Sequence, residues 1–364
     1  MDQFKLEGRI LTPAGWVDGT VRGTAQIHTI EPGPAPRDRF IIPGFVDLHV
    51  HGGFGADCMD GADAVRQMAR FHARHGTTAL LATTVTAAAA DLRAAMAGIG
   101  AATREPASVG ARILGAHLEG PFISPRALGA QPPYAIAPDL ALLEELAALA
   151  PIRVATFAPE IDPDGVLLAA FRRLGVRAQI GHTTCTYAQA RAALAAGAAG
   201  FTHLFNAMSR LHHREAGAVG AALALSASAE IILDFHHVDE GAARTALRAI
   251  PRLHCVTDAV AAAGMPDGQY HLGTHAITKR GDTVRLADGS LAGSVLTMDQ
   301  ALRNLLALDV PLAEAARRCS TLQADYLGLE DRGRLVPGAA ADIVVLDGRG
   351  ELQRVMVEGR PVEP

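Results

Sequence analysis

Residues 43–53 read Pro43-Gly44-Phe45-Val46-Asp47-Leu48-His49-Val50-His51-Gly52-Gly53. Phe45, Val46, Leu48 and Val50 form a short apolar run of the kind found in buried strands. Alternate residues of a strand face the same way, so His49 and His51 project together at its C-terminal end. Two imidazoles converging there are suited to hold a metal ion. The glycines that follow permit a tight turn and close approach of a ligand. A pair of core histidines satisfied by hydrogen bonds fits the same eleven residues, so the choice depends on the rest of the chain.

Outward from this segment the pattern repeats. Apolar runs at 44–53, 77–85, 113–121, 152–160, 176–182, 200–207, 230–238 and 253–259 alternate with Ala-, Leu- and Arg-rich segments. Helical spacing marks 139–150, 187–196 and 239–250, and Gly76 and Gly175 stand where helices end before the next strand. Strands that are apolar throughout and joined by helices form parallel sheets covered on both faces. Eight such units fit an α/β protein of the (β/α)8 TIM-barrel type. An open doubly wound sheet is the competing arrangement. It calls for a GxGxxG turn after its first strand, and GGFGAD is not one.

The ends differ from the middle. Residues 1–42 hold short strand candidates punctuated by Gly and Pro, and 335–364 resume that style. The two ends are expected to pair into a small β-sandwich beside a catalytic barrel spanning 43–334. Residues 265–297 form an insertion with hairpin-like turns, and helices are expected at 298–308 and 312–326.

The 364 residues carry 49% hydrophobic and 20% charged side chains and a net charge of −5, ordinary for a protein with a large core. There is no basic stripe, so nucleic acid is not an expected partner. The Ala-rich run 86–102 is broken by Asp91, Arg93 and Gly98, well short of a membrane span. The first residues lack the basic and apolar regions of a signal peptide. Cys58, Cys185, Cys255 and Cys319 are scattered and form no CxxC pair, as expected of reduced thiols in a cytoplasmic protein.

In a barrel, chemistry sits at the C-terminal strand ends. His49 and His51 end the first run, Glu119 the third and His182 the fifth, His203 lies in the sixth, and Asp258 ends the eighth. Four histidines and two acids at matching ends of five strands point to a metal site. Nitrogen and carboxylate donors suit zinc first, with iron or another divalent transition metal as alternatives, one ion or two. A bound metal makes water a nucleophile near neutral pH. Asp258 is placed to move a proton from that water to a leaving amine. Neither Lys5 nor Lys279 lies at a barrel strand end, so no carboxylated lysine can bridge two metals, and Glu119 is the plausible bridge.

PGFVDLHVHGGFG at 43–55, HLEGPF at 117–122, APE at 158–160, GHTTCTY at 181–187, GFTHLFNAMSRLHHREAG at 200–217, VTDAVAAAGMPDGQYHLG at 256–273, DGSLAGSVLTMDQALRN at 288–304 and GRLVPGAAADIVVLD at 333–347 resemble the amidohydrolase superfamily. Within it they resemble the N-acetylglucosamine-6-phosphate deacetylase family. The resemblance implies deacetylation of N-acetylglucosamine 6-phosphate. It implies Glu119, His182 and His203 as ligands of a principal metal, His49 and His51 as ligands of a second, and Asp258 as acid and base. Asn206 and the backbone of Ala207 would meet the sugar phosphate. Arg214 would reach it across a homodimer interface, His237 would contact the substrate, and the turn at Leu291 would line the acetyl pocket. Taken without the family, Arg214 reads as a solvated loop charge.

Two positions depart from the family's pattern. Gln131 stands where the family has a His that polarises the acetyl carbonyl, and Phe235 replaces a Gly near the sugar. Gln131 is expected to face the acetyl carbonyl as a neutral donor. Both departures bear on which hexosamine is used, so another N-acetylated hexosamine phosphate is an alternative substrate. A cyclic-amide hydrolase of the same superfamily and a non-catalytic scaffold are the remaining alternatives. The missing barrel lysine and the segment 205–215 argue against the first, and the complete ligand set with Asp258 against the second.

Overall fold

Strands from both chain ends and from the middle form two large sheets in the computed structural model, which describes residues 3–105 and 110–363. The N-terminal strands are β1 (Phe4–Thr12), β2 (Gly15–Gly23), β3 (Ile27–Pro32) and β4 (Phe40–Pro43). The barrel strands follow: β5 (Phe45–Val50), β6 (Thr77–Thr84), β7 (Arg112–Glu119), β8 (Ile152–Phe157), β9 (Arg177–Ile180), β10 (Gly200–Phe201), β11 (Ser228–Ile232) and β12 (Arg252–Val256). They neighbour one another in sequence order and every pair is parallel, as the alternation of apolar runs and helices requires. β5 and β6 are buried along their whole length, which explains why they read as continuous apolar runs.

The helices between the strands follow local signals. The helix Leu140–Leu149 begins where the Asp139 carboxylate accepts from the backbone of Leu142, and Tyr187–Ala195 starts with a capping box of Thr186 and Gln189. Gly76 ends the helix Ala62–Arg74 at φ +85°, and a Cβ there would stand 2.6 Å from the Phe45 ring. The turn therefore takes no side chain. Phe45, Met68, Leu80, Phe157, Phe171 and Phe201 fill the core, each contributing roughly 1.5–3 kcal/mol by leaving water.

No ladder joins β12 to β5 directly, so the barrel closes by other means. The Asp47 carboxylate accepts from Thr257 Oγ1 at 2.6 Å and from the Thr257 N–H at 3.2 Å. Burial pushes this carboxyl up to about 7 against those hydrogen bonds. Beyond it, the Asp258 N–H donates to His49 O at 2.8 Å and the His51 N–H to Ala259 O at 2.9 Å. The closure thus sets His49 and His51 beside Asp258.

Residues from both ends build one seven-stranded sheet. β16 (Ile343–Leu346) pairs with β4 and β17 (Leu352–Val357), and β18 (Arg360–Pro361) forms the edge. Leu6, Ile10, Val21 and Ile41 share an apolar cluster with Leu335, Ile343, Val345 and Met356. The insertion after the eighth barrel strand is a three-stranded antiparallel sheet of β13 (Gly268–Leu272), β14 (His275–Arg280) and β15 (Thr283–Arg285), packed on Val85 and Val260.

One expected element is corrected. The helix foreseen at 312–326 is two helices, Leu312–Cys319 and Thr321–Leu327, broken at Ser320. The Ser320 Oγ donates to Gly44 O at 2.7 Å, so the kink ties the closing helices to the segment before β5. Among the described residues no helix is long and apolar enough to cross a membrane.

Asp47→Ala should leave the Thr257 and His49 N–H groups without an acceptor and lower unfolding stability by roughly 2–4 kcal/mol. Asp47→Asn, which keeps an acceptor, should cost about 1 kcal/mol or less. Denaturant titration of the two variants checks the difference. Equal stabilities would remove the carboxylate from the closure.

Candidate active site

Each foreseen ligand leaves the barrel at a C-terminal strand end. His49 lies in β5 and His51 just after it, Glu119 is the last residue of β7, and His182, His203 and Asp258 each stand two residues past β9, β10 and β12. At those last three positions the chain bends sharply: φ is +45° at His182, +23° at His203 and +51° at Asp258, with Ala207 at +49°. None is glycine, so each bend costs ~1–3 kcal/mol and has to be held by its surroundings. Glu160 does part of this, accepting from Thr183 Oγ1 at 2.5 Å and the Thr184 N–H at 2.6 Å.

The side chains converge. Glu119 Oε1 lies 2.9 Å from His203 Nε2 and 3.1 Å from His182 Nε2, and Oε2 lies 3.2 Å from His51 Nε2. Asp258 Oδ1 lies 3.1 Å from His51 Nε2 and 3.5 Å from His49 Nε2. These atoms fall into two groups of possible ligands, Glu119–His182–His203 and His49–His51–Asp258.

Tautomers supply the test of fit for a metal. His49 Nδ1 faces the Glu230 carboxylate at 3.1 Å, His51 Nδ1 faces Thr83 O at 3.0 Å and His182 Nδ1 faces Ala127 O at 2.9 Å. A carbonyl or carboxylate can only accept, so in all three neutral rings the proton sits on Nδ1 and Nε2 is a bare lone pair. The Nε2 atoms nevertheless meet, at 3.2 Å between His49 and His51 and 3.1 Å between His182 and His203. Bare lone pairs that close repel unless a cation lies between them. The spacing is near the ~3.3 Å that separates donors of a tetrahedral set with ~2.0 Å bonds. The residues therefore fit a divalent metal.

The electrostatics agree. Burial alone would raise the Asp258 carboxyl, but His49, His51 and His203 hold it at about 2. Burial would lower His51, yet Asp258 and Glu119 push it up to about 9. Glu119 is likewise held well below the ordinary range by His49 and His182, against burial. The cluster attracts positive charge strongly, and a dication can take the place of the protons.

A cavity of about 240 Å³ opens over these atoms. Gln131, Asn206, Ala207, His237 and Leu291 all line it, as do His51, Glu119, His182, His203 and Asp258. Asn206 Nδ2 donates to His203 O at 3.2 Å, and His237 Nδ1 is held by the Asp234 carboxylate at 2.6 Å. Gln131 is buried and committed. Its Oε1 accepts from the Thr86 N–H at 2.7 Å, which orients the amide so that Nε2 donates to Glu119 Oε2 at 2.5 Å. It buttresses a ligand and keeps one amide hydrogen to offer the cavity. Phe235 is over a third exposed, at φ +62°. Arg214 stands outside the cavity of its own chain, exposed and paired with His213 Nε2 at 2.8 Å.

Two residues behind the ligands escaped the sequence reading, His117 and Glu230. Both signals were there. His117 is two residues before Glu119 on one strand face, and Glu230 is an acid inside a fully buried strand.

A parallel barrel with a histidine–carboxylate cluster at its mouth defines the class of metal-dependent barrel hydrolases. The family model described as the amidohydrolase family matches residues 40–362. The chain belongs to the amidohydrolase family. It is 39% identical to N-acetylgalactosamine-6-phosphate deacetylase of Escherichia coli O157:H7, with 97% of each chain covered. It is 38% identical to N-acetylglucosamine-6-phosphate deacetylase of Lysinibacillus sphaericus, over 88% of this chain and 85% of that one. A mutant N-acetyl-D-glucosamine-6-phosphate deacetylase from Mycobacterium smegmatis, solved in complex with N-acetyl-D-glucosamine-6-phosphate, matches with a TM-score of 0.92. The identity there is 34%, covering 100% of both chains.

His182→Ala and His203→Ala should release the ion held with Glu119, whereas His49→Ala should release only the ion of the other group. Elemental analysis of the purified variants reads this directly. Equal loss in all three would mean a single site with a mixed ligand set.

Proposed function

We propose that this chain is a metal-dependent deacetylase that converts N-acetylglucosamine 6-phosphate to glucosamine 6-phosphate and acetate. The observation that carries the reading is the placement of Asp258. It is an ionised carboxylate 3.1 Å from an inward histidine, on the wall of a cavity that Asn206, Ala207, His237 and Leu291 complete. Zinc is the proposed ion, with iron or another transition metal as the alternative; Glu119, His182 and His203 would hold one ion, and His49, His51 and Asp258 a second. Such an ion, when bound, polarises the amide carbonyl and lowers the pKa of water toward ~7.

The chain's own groups do the rest. Asp258 accepts a proton from the attacking water as the new C–O bond forms. It returns that proton to the nitrogen as the C–N bond breaks, so acetate and the amine leave. Gln131 keeps Glu119 in register. His237, its Nδ1 held by Asp234, presents its other nitrogen to the sugar. Asn206 and the Ala207 backbone take the sugar phosphate, joined by Arg214 from a second copy in a homodimer. The exposure of Arg214 outside its own cavity supports that last role. Four buried free thiols suit a reducing cytoplasm.

A second reading, the galactosamine epimer, has specific support. The Escherichia coli relative named for that sugar aligns along 97% of both chains, and Gln131, on the cavity wall, stands where the resemblance to the glucosamine-type family implies a His. Acetate release from both 6-phosphates and from unphosphorylated N-acetylglucosamine discriminates. Preference for the galactosamine ester selects the second reading, and no release from either ester defeats both.

Asp258→Asn should cut kcat by ~10²–10⁴-fold while substrate and the ion held by Glu119, His182 and His203 still bind. Near wild-type turnover would remove Asp258 from the mechanism.

Arg214→Ala should raise KM for the phosphorylated sugar and leave the unphosphorylated one nearly unchanged, since charge-assisted contacts are worth ~1.5–3 kcal/mol. Mixing Arg214→Ala with Asp258→Asn subunits should restore partial activity. Mixed dimers no better than their parents would refute a shared site.

A further inference from the structure

Beneath the inward nitrogens lies a carboxylate that proton transfer does not use. Glu230, the middle residue of β11, is fully buried. Its Oε2 accepts from His49 Nδ1 at 3.1 Å and from the His203 N–H at 3.3 Å. Its Oε1 has no hydrogen-bond partner among the described residues. His49, His117 and Glu230 stand close enough together to hold an ion of their own. His117, however, is already engaged: Nδ1–H donates to Leu48 O at 3.0 Å and Nε2 pairs with Thr156 Oγ1 at 2.8 Å. No free lone pair is left on that ring, so the trio is a support and not another metal site.

We propose that Glu230 is a positioning residue of the metal centre. It locks His49 in the Nδ1–H tautomer, turns Nε2 toward the ion, and by its charge makes this imidazole the strongest donor of the set. The comparison lies within the same site. His51 and His182 lean on the backbone carbonyls of Thr83 and Ala127, which are dipoles without net charge. Only His49 leans on a carboxylate, and an acid behind a ligating histidine raises its basicity. The same oxygen also grips the main chain of His203, where the backbone is strained. One atom therefore couples a ligand of each group, His49 through its ring and His203 through its peptide. Glu230 has no arginine or lysine partner among the described residues, so its charge is met by His49 and by the ion beyond it.

The inference rests on the metal-dependent reading above, and the experiment separates the two. Glu230→Gln keeps shape and an acceptor oxygen but removes the charge. Ion content is followed by elemental analysis while a chelator is titrated in, and the melting temperature of the ion-free protein is measured alongside. The ion held by His49, His51 and Asp258 should be lost at ~10–100-fold lower chelator concentration, with the melting temperature of the ion-free protein unchanged. His49→Gln should lose the same ion, and adding Glu230→Gln to it should weaken retention no further. Unchanged retention in Glu230→Gln overturns the proposal, as does a wild type with a single ion that the substitution leaves in place. A wild type that binds no ion defeats the metal-dependent reading itself. Should Glu230→Gln fail to fold, histidine-detected NMR of the zinc-loaded wild type decides. The His49 ring proton should sit on Nδ1, downfield of those of His51 and His182, and a proton on Nε2 overturns the proposal.

Discussion

Three carboxylates, Glu119, Glu230 and Asp258, are buried at one end of this barrel, and among the described residues none is paired with an arginine or lysine. Buried charge without a partner is costly, so everything around these acids serves to answer it. Four histidines meet them from three strand ends. Carbonyls and Glu230 keep the proton of three of those rings on the far nitrogen. The near nitrogens are left to share a cation. Glu119 is the hub, because its two oxygens face different histidine groups.

Meeting that demand strains the backbone. His182, His203, Ala207 and Asp258 all adopt left-handed φ, and each bend is held by neighbours: Glu160 below Thr183, Glu230 below His203, the Thr183 N–H on Ala207 O, and the Asp47–Thr257 contact before Asp258. The strain sits at the mouth, where side chains must turn inward. The large apolar core around the strands absorbs the cost.

Much of this was legible in the sequence. Period-two histidines after an apolar run, repeated apolar segments and helix-ending glycines were enough for the barrel, and the polar residues in and at the ends of the runs named the side chains that converge at its mouth. The supports were not. Glu230 opens one apolar run and His117 lies within another, where each stands out as polar, but their role depends on which strands become neighbours. The run 200–207 read as one strand, yet only Gly200–Phe201 joins the ladder, because the bends at His203, Phe205 and Ala207 leave it. The break at Ser320 carries no glycine or proline; a tertiary bond to Gly44 makes it. Gln131 looked like a donor to substrate, and only the position of the Thr86 N–H shows that its amide is turned to Glu119.

The seven-stranded sheet has a consequence in time. β4 runs through Gly44 straight into the strand that carries His49, yet its sheet neighbour on one side is β16, whose residues lie 300 or more positions later in the chain. On the ribosome, that edge of β4 stays bare until some three hundred further residues have been made. The first strand of the barrel is thus anchored by a strand made some three hundred residues after it. Contacts of such long sequence separation form late and slowly. Assembly of the catalytic centre is thereby tied to the synthesis of β16, and a nascent chain cut short before it lacks the partner that seats its first two histidines.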